Sequence, residues 1–599
     1  MITKSLSDDH GLDIDMLRSR YAAEKARRIN PKRSAQFVEV SGQYKSFADD
    51  PSSVGVSPRA PIEEDIDVLI IGAGFGGLLA AVECIKAKIG NFRIVDKAQD
   101  FGGTWYWNRY PGAQCDVESY IYMPLLDETG YMPSEKYAHG PELFEHARRI
   151  GHHFDLYRHA MLQTNVQSMT WQEDERRWVV VTDREDRLHA RFVISASGPL
   201  SHPRLPGIPG ITSFKGRMFH TSRWDYGYTG GDHLGGMSRL KDKRVAVVGT
   251  GATAIQCVPY LARDAEHLYV VQRTPPTVGV RGNKPTDAGW FKSLPPGWQS
   301  ARMANFNAWT SGVAIDEDLV KDGWTALYDL LTAGMPKDGE SITPEEGAYR
   351  AEVFDFMKGE ELRARVDSIV TRPDVAEKLK AWYGVMCKRP AFSDAYLASF
   401  NCENVTLVDT EGRGLDEITP DGIKVGDLEY PVDCIVFGTG FELGGSTGRS
   451  SHFPIRGVGE ELLSEHFANG VRSLHGFYVH GFPNMFMIGN GQNGFKANYT
   501  DMAIEQSQQI LHVIAMAMQN EFTRIEATAA AESDWIDTLI EKSQAVRAGL
   551  EACTPSNFNG EGDVERSFIA NTYGGGPIEF SKLLSDWRAD GKFAGLSVE

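Results

Sequence analysis

Twice along the chain an apolar strand runs straight into a glycine turn and then a helix. The first case is IDVLIIGAGFGG (66–77), followed by LLAAVECIKAK and a second strand, FRIVD (92–96). The second is RVAVVGTGATA (244–254), followed by IQCVPYLARDA and HLYVVQR (267–273). Strands with no polar alternation are buried on both faces, as in a parallel sheet held between helices. Each segment reads as a βαβ unit, and the chain as an α/β protein built on two Rossmann-like domains.

The turns carry the first chemical information. Gly72-x-Gly74-x-x-Gly77 allows a tight turn, close approach of a pyrophosphate and close helix packing, with a helix N-terminus facing the phosphates. Asp96 ends the following strand, 24 residues after Gly72, where a carboxylate can hydrogen-bond ribose hydroxyls. The second turn is Gly249-x-Gly251-x-x-Ala254, and Arg273 stands where an acid would be. A carboxylate repels a 2′-phosphate, whereas a guanidinium pairs with it, so this site should take NADPH in preference to NADH. An NADPH site behind another dinucleotide site implies FAD in the first, since a flavin accepts the hydride that NADPH supplies.

Four regions follow. Residues 1–64 are an N-terminal helical arm and linker, with a charged amphipathic helix over 15–30 that should pack on the body. Residues 65–201 form the first part of the FAD-binding domain. Residues 202–403 form the NADP-binding domain, with a helical insertion over about 281–385. Residues 404–599 form the second part of the FAD-binding domain and a tail, starting from the strands VTLVD (405–409), DCIVFGTGF (433–441) and NMFMIGN (484–490). SASG and FGTGF resemble strand-end turns found beside FAD.

A formal charge of −19 over 599 residues argues against nucleic acid or an anionic membrane as partner. No apolar run approaches the length of a membrane span, and MITKSLSDDHGLD is unlike a signal peptide. A soluble cytoplasmic protein is expected, monomeric or weakly homo-oligomeric. Seven scattered cysteines with no C-x-x-C speak against a disulfide framework, a zinc site or an iron–sulfur cluster.

GGTWYWNRYPGAQCD (102–116) concentrates flat side chains in a short loop and closes on an acid. Two-dinucleotide flavoproteins include disulfide reductases, flavin-containing monooxygenases, N-hydroxylases and Baeyer–Villiger monooxygenases. A disulfide reductase would carry a cysteine pair in this loop, and Cys115 stands alone. Gly103-x-Trp105-xxxx-Tyr110-Pro111-Gly112-xxx-Asp116 resembles the longer fingerprint of type I Baeyer–Villiger monooxygenases. Phe214-x-Gly216-xxx-His220-xxx-Trp224-Asp225 resembles their shorter one, and Cys387-Lys388-Arg389, with Asp394 and Tyr396 following, resembles the segment bearing their active-site arginine. The resemblance covers roughly residues 62 to 580. The long arm, QRTPPTVGVRGNKPTD (272–287) and CTPSNFNGEG (553–562) most resemble the branch that accepts large cyclic ketones, such as cyclopentadecanone monooxygenase.

The resemblance implies an FAD-containing, NADPH- and O2-dependent conversion of ketones to esters or lactones through a C4a-peroxyflavin. A persistent cation is needed beside the reacting oxygens. Arg389 is the candidate, and Asp116 the carboxylate that holds it. Thr104, Trp105, Asp116 and Tyr122 are implied at the flavin, with Tyr110 beside Trp105 as an aromatic wall. Gln114, Cys115, Thr250, Gly251, Ala252, Thr253, Ala254, Gln256, Arg273, Thr274, Lys388 and Arg389 are implied at NADP. His220 is read as a structural or conformational residue between the domains rather than a base. The C-terminal loop lacks the tryptophan some members use to reach NADP, so none of its residues is assigned. The apolar insertion, with Trp290, Phe291, Trp298, Phe306 and Trp309, is read chiefly as its own core; the branch resemblance implies a roomy apolar pocket. An S/N-oxygenating flavoenzyme and a flavoprotein electron carrier are the alternatives.

Overall fold

The computed structural model describes residues 11–53, 55–56, 58–313, 315–332, 342–442, 453–489, 491–564 and 572–599. Helix α1 (Ile14–Arg28) starts where the Asp13 carboxylate accepts the Met16 N–H at 2.9 Å. Its buried Ile14 and Leu17 pack on Val353 and Phe356 of the insertion. Arg18 pairs with Glu352 at 2.6 Å. The arm therefore lies on the body, as its amphipathic pattern implies.

The first sheet is built from β1 (Glu63–Ile71), which runs into α2 (Phe75–Lys86), then β2 (Phe92–Val95), β3 (Val166–Gln172), β4 (Arg177–Thr182) and β5 (Arg187–Ser195). β5 lies parallel to β1 with Ile71 opposite Ser195. Its other edge takes β4 antiparallel at its beginning. The second sheet contains β6 (Arg217–His220), β7 (Arg244–Val248), α3 (Ala252–Asp264) as the crossover, and β8 (His267–Gln272). After these come the helices α4 (Trp298–Thr310), α5 (Gly323–Thr332) and α6 (Pro344–Ile369), then β9 (Val405–Asp409) and β10 (Cys434–Phe437). The order β9-β8-β7-β10-β6 is parallel throughout. Finally β11 (Met485–Met487) adds to the end of β5, and α7 (Tyr499–Gln519) packs on α2. The strand expected over 484–490 is thus present, though Asn490 lies outside the described residues.

Two expectations need correction. Residues 405–409 and 433–437 are strands, but they pair with β8 and β7. The second part of the first domain thus begins beyond Phe441, not at 404. Their apolar runs show burial on both faces, which either sheet would satisfy. Second, Cys387 and Cys553 form a disulfide across 166 positions. It joins the Lys388-Arg389 segment to the 553–562 loop, an approach in space that cysteine spacing does not reveal.

The insertion's large rings mainly bury one another and the first core. Phe306 is wholly buried beside Met303, Phe291 packs edge-on to Trp298 at 5.4 Å, and Trp290 meets Tyr120 at 4.8 Å. Trp309 is tied to Asp329 through its indole N–H. No helix among the described residues is long and apolar enough to cross a membrane.

Candidate active site

The two glycine turns face one another across a cleft, and they are built alike. Gly72 has φ 116° and Gly249 φ 115°. A Cβ on Gly72 would fall 2.4 Å from the Ala196 carbonyl oxygen, and one on Gly249 would fall 2.4 Å from that of Gly438. Only glycine suits such a left-handed position pressed against backbone. SASG and FGTGF are therefore equivalent strand-end turns. SASG backs the first motif and FGTGF the second, which corrects the placing of FGTGF beside the first.

A cavity of about 1270 Å³ spans both turns. Of the residues the sequence nominates for cofactors, all but Gly77 and Ala254 line it. Gly77 sits behind the turn against Gly72, the packing role expected of a third glycine. Ala254 is corrected: it is fully buried in the core of the second sheet and does not reach the cleft. On the FAD side, Asp96 accepts the N–H groups of Ala73 at 2.6 Å and Ala98 at 2.7 Å, fixing its carboxylate at the strand end. Trp105 donates its indole N–H to the Tyr122 hydroxyl at 3.1 Å. Gly103 approaches the first turn so closely that a Cβ on it would lie 2.5 Å from the Gly74 Cα. On the NADP side, a Cβ at Gly251 would meet nothing within 4 Å, so the N-terminus of α3 is open to the cleft. A glycine-narrowed backbone and an accessible helix N-terminus fit a pyrophosphate in each half.

Arg389 and Asp116 meet in this cleft. Nε donates to Oδ2 at 3.1 Å and Nη2 to Oδ1 at 2.7 Å, a two-pronged pair. The Arg389 side chain is 42% exposed, and it is exposed to the cavity it lines. Burial acts to lower its pKa, but the charge and hydrogen bonds of Asp116 outweigh burial and raise it. The guanidinium is thus a permanent cation that remains partly open to the cavity.

Trp324 of α5 supports both partners. Its indole N–H donates to the Asp116 carbonyl at 3.1 Å, and the Arg389 guanidinium lies over its ring at 5.1 Å. Sequence reasoning missed it, because a tryptophan on an apolar helix face reads as core. Arg281 was also missed. It donates to Gln114 Oε1 at 2.6 Å, to the Cys115 carbonyl at 3.1 Å and to the Phe392 carbonyl at 3.0 Å, bracing the fingerprint loop against the Arg389 segment. The Cys115 thiol is buried, which pushes its pKa up to about 12. Cys115 therefore lines the cleft as a protonated thiol and not as a reactive thiolate. Tyr110 leans to the other half: it packs in the core of the second sheet and donates to Gln256 Oε1 at 2.7 Å.

At the far end of the NADP side, the Thr250 hydroxyl donates to the Thr274 carbonyl at 2.7 Å. Arg273 donates to Gln36 of the arm at 3.0 Å and to Glu561 of the C-terminal loop at 3.2 Å. Lys388 donates to the Pro555 carbonyl at 2.8 Å. Burial and then the nearby Arg273 lower its pKa to about 7. Sequence reasoning missed both: Gln36 sits in a polar segment with no motif, and Glu561 in the 553–562 loop, none of whose residues was assigned. His220 is fully buried, shares a hydrogen bond with the Ser222 hydroxyl at 2.8 Å and faces Phe441 edge-on. Burial lowers its pKa to about 3. A neutral ring away from the cavity fits a joint between domains.

Comparison with known proteins agrees with this geometry. Residues 66–285 match the flavin-binding monooxygenase-like family. The chain is 47% identical to neopentalenolactone D synthase of Streptomyces avermitilis, over 98% of this chain and 99% of that one. It is 44% identical to a Baeyer–Villiger monooxygenase of Stachybotrys chlorohalonatus, over 99% and 96%. The polycyclic ketone monooxygenase of Thermothelomyces thermophila superposes with a TM-score of 0.90 at 38% identity, covering 98% of this chain and 99% of that one. OTEMO in complex with FAD and NADP superposes at 0.73 with 29% identity, covering 90% and 100%. Two nucleotide turns, a shared cleft with a paired arginine and near-full-length relatives lead to one assignment: the chain belongs to the Baeyer–Villiger monooxygenases.

Proposed function

We propose that this enzyme uses FAD, NADPH and dioxygen to convert bulky polycyclic or macrocyclic ketones to lactones or esters, with Arg389 as the cation at the reacting oxygens and Asp116 as its anchor. The observation that carries the reading is the two-pronged Arg389–Asp116 pair in the cleft between the glycine turns. When bound, the flavin supplies hydride acceptance and oxygen activation. The chain's own residues do the rest. The α2 and α3 N-termini and the glycine-narrowed turns hold the pyrophosphates. Asp96 orients a ribose. Arg273 and Lys388 meet the 2′-phosphate. Trp105 and Tyr122 exclude water on the FAD side. Arg389 donates toward the negative oxygen that develops when a ketone carbonyl is attacked, while Asp116 and Trp324 keep its plane fixed.

The substrate class is supported by the cleft and by the relatives. Phe495 and Phe558 line the cavity and remain 43% exposed each. Large rings left open inside a cleft favour an apolar ligand. Each CH2 such a ligand buries contributes about 0.8 kcal/mol. One relative is named a polycyclic ketone monooxygenase and another a neopentalenolactone D synthase. The test is a panel of cyclohexanone, macrocyclic and fused-ring ketones with NADPH, read by lactone mass. The larger ketones should show the higher kcat/KM. A preference for cyclohexanone would defeat the size assignment, and no oxygenated ester from any ketone would defeat the reaction itself.

A further inference from the structure

The adenosine end of the NADP cleft holds an acid where a phosphate-binding site should hold none. Glu561 is 3% exposed. Its carboxylate accepts from Arg273 at 3.2 Å, from Arg204 at 3.4 Å and from the Gln36 amide at 3.4 Å. Lys388 lines the same cavity and donates to the Pro555 carbonyl at 2.8 Å. Two guanidinium cations therefore hold one carboxylate, and Lys388 adds further positive charge when protonated, an excess suited to an incoming anion. The bonds to Glu561 are longer than the 2.7–2.9 Å of a good charge-assisted pair.

The backbone also marks this residue. Gly560, Glu561 and Gly562 have φ 59°, 59° and 88°. Three left-handed residues in a row are unusual, and at Glu561 a side chain adopts a conformation that favours glycine. The turn is clamped from outside: Arg33 of the arm donates to the Gly562 carbonyl at 2.6 Å. Inside, the Glu561 N–H donates to the Ser556 carbonyl at 2.8 Å.

We propose that Glu561 is a built-in counter-anion of the coenzyme site, paired with Arg273 and Arg204 in the absence of nucleotide and displaced by the 2′-phosphate of NADPH. This rests on Arg273 as the phosphate ligand. A carboxylate and a phosphate cannot share one guanidinium in a buried pocket without strong repulsion. The phosphate, rather than the nicotinamide, therefore dislodges the 556–562 turn. Glu561 sets how tightly NADPH binds and leaves NADH unaffected.

The test uses the FAD-loaded enzyme titrated with NADP⁺ and NAD⁺. Glu561→Gln should tighten NADP⁺ by about tenfold, the scale of one lost charge competitor, and leave NAD⁺ within about twofold. Unchanged or weaker NADP⁺ binding, or equal tightening of both, would overturn the proposal. Arg273→Ala, run beside it, should loosen NADP⁺ alone. If it does not, the phosphate reading fails and this proposal with it; if it does and Glu561→Gln has no effect, only this proposal fails. Hydrogen exchange in the unaltered enzyme needs no variant. NADP⁺ and 2′,5′-ADP should both speed exchange at the Glu561 and Gly562 amides, and NAD⁺ should not. Slower exchange, or the same response to all three, overturns the displacement.

Discussion

At the residue scale, Arg389 is asked for one property, a charge that persists at any working pH. Asp116 secures it through two hydrogen bonds. Arg389→Ala should therefore retain FAD and reduction by NADPH, yet lose about a hundredfold to a thousandfold in lactone formation, the cost of removing a donor from a developing oxyanion. Lactone yield near normal in a single-turnover assay would take Arg389 out of the chemistry. The sequence made Arg389 and Asp116 legible because both stand in patterned segments. Trp324 and Glu561 were illegible for opposite reasons. Trp324 looks like any core aromatic, and only its indole N–H on the Asp116 carbonyl separates it. Glu561 looks like any loop acid, and only burial among cations separates it.

At the scale of elements, the fingerprint loop and the first glycine turn behave as one unit. Gly103 has φ 52°, and the Gly74 Cα leaves no room for a Cβ there. Gly103→Ala would meet both a disfavoured backbone region and a backbone clash. The variant should fold around its two sheets but retain FAD more than about tenfold less well, measured as flavin absorbance per protein after gel filtration. Full flavin content would show that the loop can withdraw from the turn. Both βαβ units were plain in the sequence, because apolar run, glycine turn and helix follow without a break. The sheet membership of β9 and β10 was not. Strand character is local, whereas pairing depends on which neighbour the long insertion brings alongside.

At the scale of the whole molecule, the NADP half is set within the FAD half, so the chain passes between them twice. The two passages are bonded together: Arg204 N–H to the Gly440 carbonyl at 2.9 Å, and Glu442 N–H to the His202 carbonyl at 3.0 Å. Asp116 belongs to one half and Arg389 to a segment of the other, so their ion pair bridges the cleft. Asp116→Asn should loosen that bridge and speed hydrogen exchange at the Arg204 and Glu442 amides by roughly threefold, a modest effect suited to a pair partly open to solvent. No change would mean that the halves are held by other contacts.

Two adjacent strands of chain joined side by side act mechanically like a pair of door hinges. A joint of this kind would favour swing over sideways slip. Were the halves to swing, the Arg389 guanidinium would travel with one leaf and the Asp116 carboxylate with the other. In such a hinge the Arg389–Asp116 pair would serve as a latch, closed where the two side chains meet.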